Sequence, residues 1–260
     1  MARITLRSRI EQGETLYSAW HSFAAPQIAE ALARDGWDAV VIDMQHGEAD
    51  YADMARAVAG VAAAGAAPVV RVSIGDEVLL GRAPDAGALG IICPMVNSGQ
   101  EAASLVRACK YPPLGQRSFA GVRAMAVHGM SGPDYLAAAN DLVLAFAMVE
   151  TAQALKHIDA ICSTPGIDGV FVGPNDLSVS LSGGMTVDPS MHEVEEALRL
   201  VVRKCAAHKV IAGAYANTAE IARLYRDMGF RFIAVAGDAA YLSAGSRSML
   251  AAARQAEEQE

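Results

Sequence analysis

Two acidic motifs contain the side chains best suited to chemistry. Glu150 ends the apolar run that begins at Leu142, and Asp176 follows the apolar run 169–173. Each acid is therefore expected at the carboxyl end of a buried parallel strand, where side chains from neighbouring strands meet. Two carboxylates with room for water or substrate oxygens suit an octahedral divalent cation such as Mg²⁺ or Mn²⁺. The alternative is that each is an ordinary acid in the first turn of a helix.

Arg71 and His46 are the next candidates. Arg71 closes the apolar run 68–70, where a permanent charge is costly unless it reaches an opening or a partner. It suits a developing enolate oxygen, and the alternative is a structural salt bridge. His46 follows Asp43 at the end of another run, which makes it the best general base. His21 is its rival, and His128 could reach the site from a long connecting segment.

Backbone groups and lysines complete the chemical inventory. Asn175 and Asp176 follow a Gly-Pro turn at the start of a helix, so their N–H groups could bind a substrate carboxylate, or could simply begin the helix. By spacing alone, Asp85 is an ordinary acid at a helix end. The chain has only four lysines, none of which lies at the carboxyl end of a predicted strand, so a Schiff-base mechanism lacks its nucleophile. They are Lys110, Lys156, Lys204 and Lys209.

Eight short apolar runs alternate with helical patterns along the whole chain, which indicates a repeated βα unit. The predicted strands are 17–21, 38–44, 68–72, 90–95, 142–150, 169–173, 210–215 and 231–236. Eight such units in this length favour a single (β/α)8 TIM barrel domain over residues 1–260. No GxGxxG motif follows the first strand, which weakens a dinucleotide-binding interpretation.

Two segments have no evident role inside one barrel. About 30 residues from Lys110 to Asp141 separate two predicted strands, far more than an ordinary connection needs. We expect this long loop to cover the active site or to form a subunit contact. A C-terminal helix from Tyr241 to Glu258 is expected to take part in oligomer contacts as well.

Composition excludes several classes of protein. The 260 residues are 53% hydrophobic and 19% charged, which is typical of one globular domain. A net charge of −8 and the lack of a basic cluster argue against nucleic acid as a partner. No apolar run approaches the roughly 20 residues that a bilayer requires, and the first 14 residues lack an apolar signal segment, so we expect a cytoplasmic protein without membrane association. The scattered cysteines are expected to be reduced.

The ordered motifs resemble a known family. They are Asp43-Met44-Gln45-His46-Gly47, Val69-Val70-Arg71, Pro94-Met95-Val96, Tyr111-Pro112-Pro113-Leu114-Gly115, Val149-Glu150-Thr151 and Gly173-Pro174-Asn175-Asp176-Leu177-Ser178. Together, from about Trp20 to Ala240, they resemble the class II, metal-dependent pyruvate aldolases of the aldolase/citrate lyase superfamily. Within it, the chain is most similar to the 4-hydroxy-2-oxoheptanedioate and 2-keto-3-deoxy sugar acid aldolases. This resemblance implies a (β/α)8 TIM barrel of the phosphoenolpyruvate/pyruvate-binding type.

The resemblance implies a role for each site residue. Glu150 and Asp176 would bind the metal, which would be Mg²⁺, Mn²⁺ or Co²⁺. Arg71 would steady the enolate and His46 would act as the acid/base, with Asp85 raising its basicity and Asp43 supporting the network. The substrate-binding residues would be Trp20, Arg71, Gly173, Asn175 and Asp176. Relatives also imply a homo-oligomer, expected to be a hexamer.

The implied reaction is reversible cleavage of a 4-hydroxy-2-oxo acid to pyruvate, or a related 2-oxo acid, and an aldehyde. Oxaloacetate decarboxylation at the same site, a lyase acting on a coenzyme A thioester and a non-catalytic barrel that binds a keto acid are the alternatives. Two departures bear on the aldehyde: Gln45 stands where the family often has Glu, and Met148 replaces a glutamine that contacts substrate.

Overall fold

Eight parallel strands close into a barrel in chain order, which confirms the predicted (β/α)8 fold. The computed structural model describes residues 5–257, so the predicted domain's residues 1–4 and 258–260 lie outside the described part. The strands are β1 Leu16–His21, β2 Ala39–Asp43, β3 Ala67–Arg71, β4 Gly90–Cys93, β5 Leu144–Val149, β6 Gly169–Val172, β7 Ile211–Ala216 and β8 Phe232–Val235.

Thirteen helices occur among the described residues, several of them begun by side-chain caps. Asp50 accepts from Asp53 N at 2.8 Å, and Thr218 accepts from Ile221 N at 3.3 Å. No helix of residues 5–257 is long and apolar enough to cross a membrane. The helices are α1 Leu6–Glu11, α2 Pro26–Arg34, α3 Tyr51–Ala63, α4 Glu77–Ala86, α5 Gly99–Cys109, α6 Val122–His128, α7 Gly132–Leu142, α8 Ala152–Lys156, α9 Ile158–Cys162, α10 Pro174–Leu181, α11 His192–His208, α12 Ala219–Met228 and α13 Asp238–Glu257.

Alternate residues of each strand fill the barrel interior, because side chains of a strand point to opposite faces in turn. The interior cluster includes Trp20, Val41, Val69, Met148 and Phe171, each of them buried. Because side chains alternate along a strand, the next residue that faces the interior lies two positions further on. Asp43, Arg71, Glu150 and Gly173 each lie two residues beyond one of these positions, so they share one end of the barrel.

Glycines make room for aromatic rings inside the barrel. A Cβ at Gly169 would lie 2.6 Å from Phe146 Cε1, and one at Gly213 would lie 3.0 Å from Phe171 Cδ2. Phe146 stacks on Phe232 with ring centroids 5.2 Å apart. Only glycine fits at position 169, which allows the aromatic rings to pack closely below the carboxyl ends of the strands. This packed layer supports the residues above it.

The segment predicted as one long loop, 110–141, contains two helices, so that prediction was wrong. Ser131 caps α7 by accepting from Asp134 N at 3.3 Å, and Leu142, predicted to begin β5, is the last residue of α7. Helix α6 packs against α3 and α4 on the outside of the barrel. Helix α13 begins at Asp238 rather than at Tyr241, and the predicted end at Glu258 lies outside the described residues.

A buried ionic cluster lies at the amino ends of the strands. Lys110 is 1% exposed, and its Nζ is 2.6 Å from Asp168 Oδ2 and 2.5 Å from the carbonyl oxygens of Asn140 and Val143. Asp168 also pairs with Arg7 and accepts from Ala145 N at 2.6 Å. The cluster joins α1, α7, β5 and β6, so it is structural and lies away from the carboxyl ends.

Candidate active site at the carboxyl ends of the strands

Arg71 and Asp43 form a buried two-point pair at the ends of β3 and β2. Arg71 Nε lies 2.9 Å from Asp43 Oδ1, and Nη2 lies 2.6 Å from Oδ2. Burial raises the pKa of Asp43, but the Arg71 guanidinium and the N–H groups of Gln45 and His46 together outweigh it, so the pKa is lowered and the carboxylate stays charged. Trp20 donates its indole N–H to Asp43 Oδ2 at 3.3 Å and lies under the guanidinium, 4.8 Å from ring centroid to Cζ. Within the described residues, Arg71 Nη1 has no acceptor and remains free for a ligand.

Asp43 also places His46. Its Oδ1 accepts from Gln45 N at 3.0 Å and from His46 N at 3.3 Å, so the turn after β2 folds around this carboxylate. Gly47 allows the turn, because a Cβ there would lie 2.2 Å from the Asp43 carbonyl oxygen. The His46 side chain is exposed and lines the pocket described below. It is placed where a general base can reach a bound ligand.

Glu150 is a buried carboxylate that forms no ion pair within residues 5–257, although the charge of Arg71 acts against the rise in its pKa. It is 2% exposed, and burial raises its pKa to about 7, with Asp176 adding to the effect. Oε1 accepts from Met95 N at 2.8 Å, and Met95 has a left-handed backbone with φ of 55°. Oε2 faces Gly173, where a Cβ would lie 2.6 Å from it. A side chain at position 173 would therefore close the space beside this oxygen.

Helix α10 carries Asn175 and Asp176 in its first turn. Gly173 precedes the helix without a side-chain cap, and Pro174, in the first turn, has no N–H to satisfy. The N–H groups of the next residues are at a helix start, where backbone donors and the helix dipole favour an anion. The Asp176 side chain is exposed to the pocket.

These residues line one pocket of about 360 Å³. The structure thus brings together His46, Arg71, Trp20, Gly173, Asn175 and Asp176, with Asp43 and Glu150 directly beneath. The remaining lining residues include several that were not predicted from the sequence: Ser22, Phe23, Glu48, Tyr215, Gly237, Asp238 and Ala239. Most of them follow a strand end inside a loop, and the sequence gives such positions no periodic signal. Tyr215 alone could have been found, since it lies two residues beyond the interior position 213.

His21, the rival base, is buried and serves a different purpose. It is 1% exposed, and its Nδ1 lies 2.9 Å from Asp238 Oδ2. Asp238 also accepts from the N–H groups of Ser22 and Phe23 at 2.8 and 3.1 Å. Burial raises the pKa of Asp238, and these partners outweigh it, so its pKa is lowered. The His21–Asp238 pair therefore joins the loop after β1 to the start of α13.

Asp85 and His128 are not brought to this pocket within the chain. Helix α4 starts near the carboxyl ends and runs back toward the start of β4, so Asp85, in its last turn, lies at the opposite end of the barrel, 2.6 Å from Arg117. His128 is buried at that end too, and its Nε2 lies 2.8 Å from the Gly87 carbonyl oxygen. The expectation that His128 could reach the site was wrong, and the role implied for Asp85 finds no support in the geometry of one chain.

The donor set suits a divalent cation. Glu150 offers a buried oxygen whose charge is unbalanced, and the neighbouring Asp176 raises the cost of keeping both ionised. Residues 5–257 hold no group of three or more His, Cys, Asp or Glu side chains that could bind a metal. Two protein carboxylates would leave several positions for water and substrate oxygens, as Mg²⁺ and Mn²⁺ sites commonly do.

Comparison with known proteins agrees with this geometry. The model of the HpcH/HpaI aldolase/citrate lyase family matches residues 17–244. The chain belongs to this family. A hydroxypyruvate/pyruvate aldolase of Rhizorhabdus wittichii is 40% identical over 96% of the chain and 98% of the relative. A 2-dehydro-3,6-dideoxy-6-sulfogluconate aldolase of Pseudomonas putida is 34% identical over 90% of each.

A solved HpcH/HpaI aldolase/citrate lyase family protein of Burkholderia cenocepacia superposes on the chain with a TM-score of 0.86 and 37% identity, covering 96% of the chain and 98% of that protein. Membership of the HpcH/HpaI family, together with these aldolase relatives, identifies an enzyme of the aldolase and lyase type. The pocket lies at the carboxyl ends of the strands, where enzymes with this fold hold their catalytic groups.

Proposed function

We propose that this chain is a metal-dependent aldolase that reversibly cleaves 4-hydroxy-2-oxo acids to pyruvate, or a related 2-oxo acid, and an aldehyde. One observation carries the proposal. The guanidinium of Arg71 and the start of α10 line one pocket, and the buried Glu150 carboxylate lies beneath it, beside the lining residue Gly173. This set can bind a 2-oxo acid and hold the negative charge that develops when its C3–C4 bond breaks.

The cation proposed for Glu150 and Asp176, which is Mg²⁺, Mn²⁺ or Co²⁺, would act as a Lewis acid toward the keto oxygen. The N–H groups of Asn175 and Asp176 bind the substrate carboxylate and fix its orientation. Trp20 holds the guanidinium of Arg71 from below, and Asp43 holds it from the side, so the free Nη1 faces the enolate oxygen without having to reorganise.

His46 moves the protons. In cleavage it accepts the proton of the 4-hydroxyl; the C4–O bond becomes a carbonyl, and the electron pair of the C3–C4 bond moves to C3 to give the enolate. The same imidazolium then returns the proton to C3, which becomes the methyl group of pyruvate. The exposed position of the His46 ring allows it to serve both steps. Asp43 supports this residue by binding its backbone N–H.

The proposal is tested by identifying products before and after removal of metal. Protein stripped with a chelator should not act on a panel of 4-hydroxy-2-oxo acids, and added Mg²⁺, Mn²⁺ or Co²⁺ should restore equal yields of pyruvate and aldehyde. Unchanged activity after exhaustive chelation, or covalent trapping of pyruvate by borohydride, would contradict it. Measuring carbon dioxide release from oxaloacetate in parallel separates aldol cleavage from decarboxylation, which forms the same enolate.

A further inference from the structure

The outer part of the pocket is a rigid rim formed by the loops after β1, β2 and β8. Glu48 N donates to the Ser22 carbonyl oxygen at 2.7 Å, while Ser22 N donates to Asp238 Oδ2 at 2.8 Å. A Cβ at Gly47 would lie 2.9 Å from the Ser22 carbonyl oxygen, so the two loops are in close contact. The position of Glu48 relative to Ser22 and Asp238 is therefore fixed before any ligand binds.

This rim is acidic. Among the described residues that line the pocket, the acids are Glu48, Asp176 and Asp238, the one arginine is Arg71, which already pairs with Asp43, and the one histidine is His46. Asp176 belongs to the proposed cation site, and Asp238 lies against His21. The Glu48 carboxylate is exposed and has no hydrogen bond or ion pair within residues 5–257. Its negative charge is consequently not offset by a neighbour.

The start of α13 does not supply a compensating anion site. Asp238 Oδ1 accepts from Ala239 N at 2.9 Å. The N–H groups of Ala240 and Tyr241 donate to the Gly237 carbonyl oxygen at 2.9 and 3.0 Å. The backbone donors of the first turn are thus occupied within the chain, and the Asp238 carboxylate already balances the helix dipole. An anionic ligand at the rim would meet the Glu48 carboxylate, and the three rim loops contain no lysine or arginine to offset it.

We infer that the rim selects uncharged, hydroxyl-bearing aldehydes and rejects anionic ones, with Glu48 as the specificity-determining residue. This inference rests on the proposed function, in which Arg71 and α10 hold the 2-oxo acid and leave the rim for the aldehyde. An aldehyde hydroxyl donates to the Glu48 carboxylate in a charge-assisted hydrogen bond. A carboxylate or phosphate on the aldehyde is repelled by the Glu48 carboxylate, whose charge no ion pair within residues 5–257 offsets.

The test measures condensation of pyruvate with D-glyceraldehyde, propanal and succinic semialdehyde, which are a hydroxylated, an apolar and an anionic acceptor. We expect the wild-type kcat/KM to be highest for glyceraldehyde and about tenfold or more lower for succinic semialdehyde. Glu48→Lys should reverse this preference, mainly through KM, and Glu48→Gln should reduce it. Glu77→Gln is the matched control, because Glu77 is exposed in the first turn of α4 and does not line the pocket.

Equal use of the neutral and anionic acceptors by the wild type would overturn the inference, as would an unchanged preference in Glu48→Lys with its thermal stability retained. Exchange of pyruvate methyl protons by the wild-type protein, measured without an aldehyde, tests the proposed function separately. If proton exchange occurs but the aldehydes are used without any charge preference, only the role of Glu48 is refuted. If the protein shows no exchange and no condensation, the proposed function itself is refuted.

Discussion

Arg71 and His46 both contact the Asp43 carboxylate, but through different groups. This difference agrees with the different functions proposed for them. Asp43 binds the side chain of Arg71 but only the backbone N–H of His46. The Arg71 side chain is thereby held in place, whereas no hydrogen bond within residues 5–257 holds the His46 ring. The sequence indicated both residues, since each directly ends or follows an apolar strand. It could not indicate Met95, which binds Glu150 through its backbone N–H.

Replacement of Arg71 and of His46 should give different profiles over three reactions. Arg71→Ala should lower aldol cleavage, oxaloacetate decarboxylation and pyruvate proton exchange together, by roughly 10²-fold or more, because all three develop the same enolate charge. His46→Ala should spare decarboxylation, which forms the enolate without removing a proton. Steady-state rates are compared with those of Arg56→Ala, an exposed control. Equal losses in all three reactions for His46→Ala would show that this residue positions ligands instead.

Gly173→Ala should weaken cation binding. The new Cβ would lie 2.6 Å from Glu150 Oε2 and 2.6 Å from Met148 Cε, so the ends of both side chains would have to move. We expect the dissociation constant for Mn²⁺, measured by calorimetry, to rise at least about tenfold as the Glu150 carboxylate is displaced. Gly245→Ala is the control, because a Cβ there meets no atom within 4 Å. Unaltered Mn²⁺ affinity in Gly173→Ala would exclude Glu150 as a ligand.

At the scale of elements, apolar runs identified all eight strands because a strand buried on both faces needs few polar residues. Helices α6 and α7 were missed because their patterns are short and Gly132-Pro133 resembles a turn, although Ser131 followed by Asp134 was an available capping signal. The direction of α4 explains why Asp85 does not lie at the pocket. Each helix in a (β/α)8 barrel runs back to the amino ends of the strands. An acid in the last turn of such a helix therefore lies at the opposite end of the barrel from the pocket of its own chain.

The ionic cluster at the amino ends should contribute to stability and not to catalysis. Lys110→Met leaves Asp168 with Arg7 as its remaining partner and removes the donor to two carbonyl oxygens. We expect the free energy of unfolding to fall by about 3 kcal/mol, because groups that were paired are left buried. Denaturant unfolding compares this variant with Lys156→Met, where the lysine is exposed. A change below about 1 kcal/mol would show that the cluster is redundant.

For the whole molecule, the exposed apolar surface bears on assembly. Large apolar side chains remain exposed on α13, where Leu242, Met249 and Leu250 are 64, 74 and 51% exposed, and at Val122 in α6, which is 73% exposed. Apolar surface of this kind often marks a contact between proteins. Other segments carry such side chains too, but α13 and the segment 110–141 are the two for which the sequence analysis named subunit contacts.

We therefore predict a homo-oligomer, with a hexamer of about six times the 27.2 kDa chain mass as the expected form. Light scattering under assay conditions measures the mass directly. The double variant Leu242→Glu with Met249→Glu should lower it, because charges would be buried in the contact, and Arg254→Glu on the same helix serves as the control. A monomeric wild-type protein would refute this prediction.

Exchange of the pyruvate methyl protons in D₂O, followed by proton NMR, tests most directly that a cation at Glu150 and Asp176 lets this barrel form an enolate. The account predicts no exchange in chelated protein, full exchange after Mg²⁺ or Mn²⁺ is added, and almost none in Glu150→Gln at the same cation concentration. Exchange that persists in chelated protein, or in folded Glu150→Gln, would contradict the claim that a cation at this site stabilises the enolate.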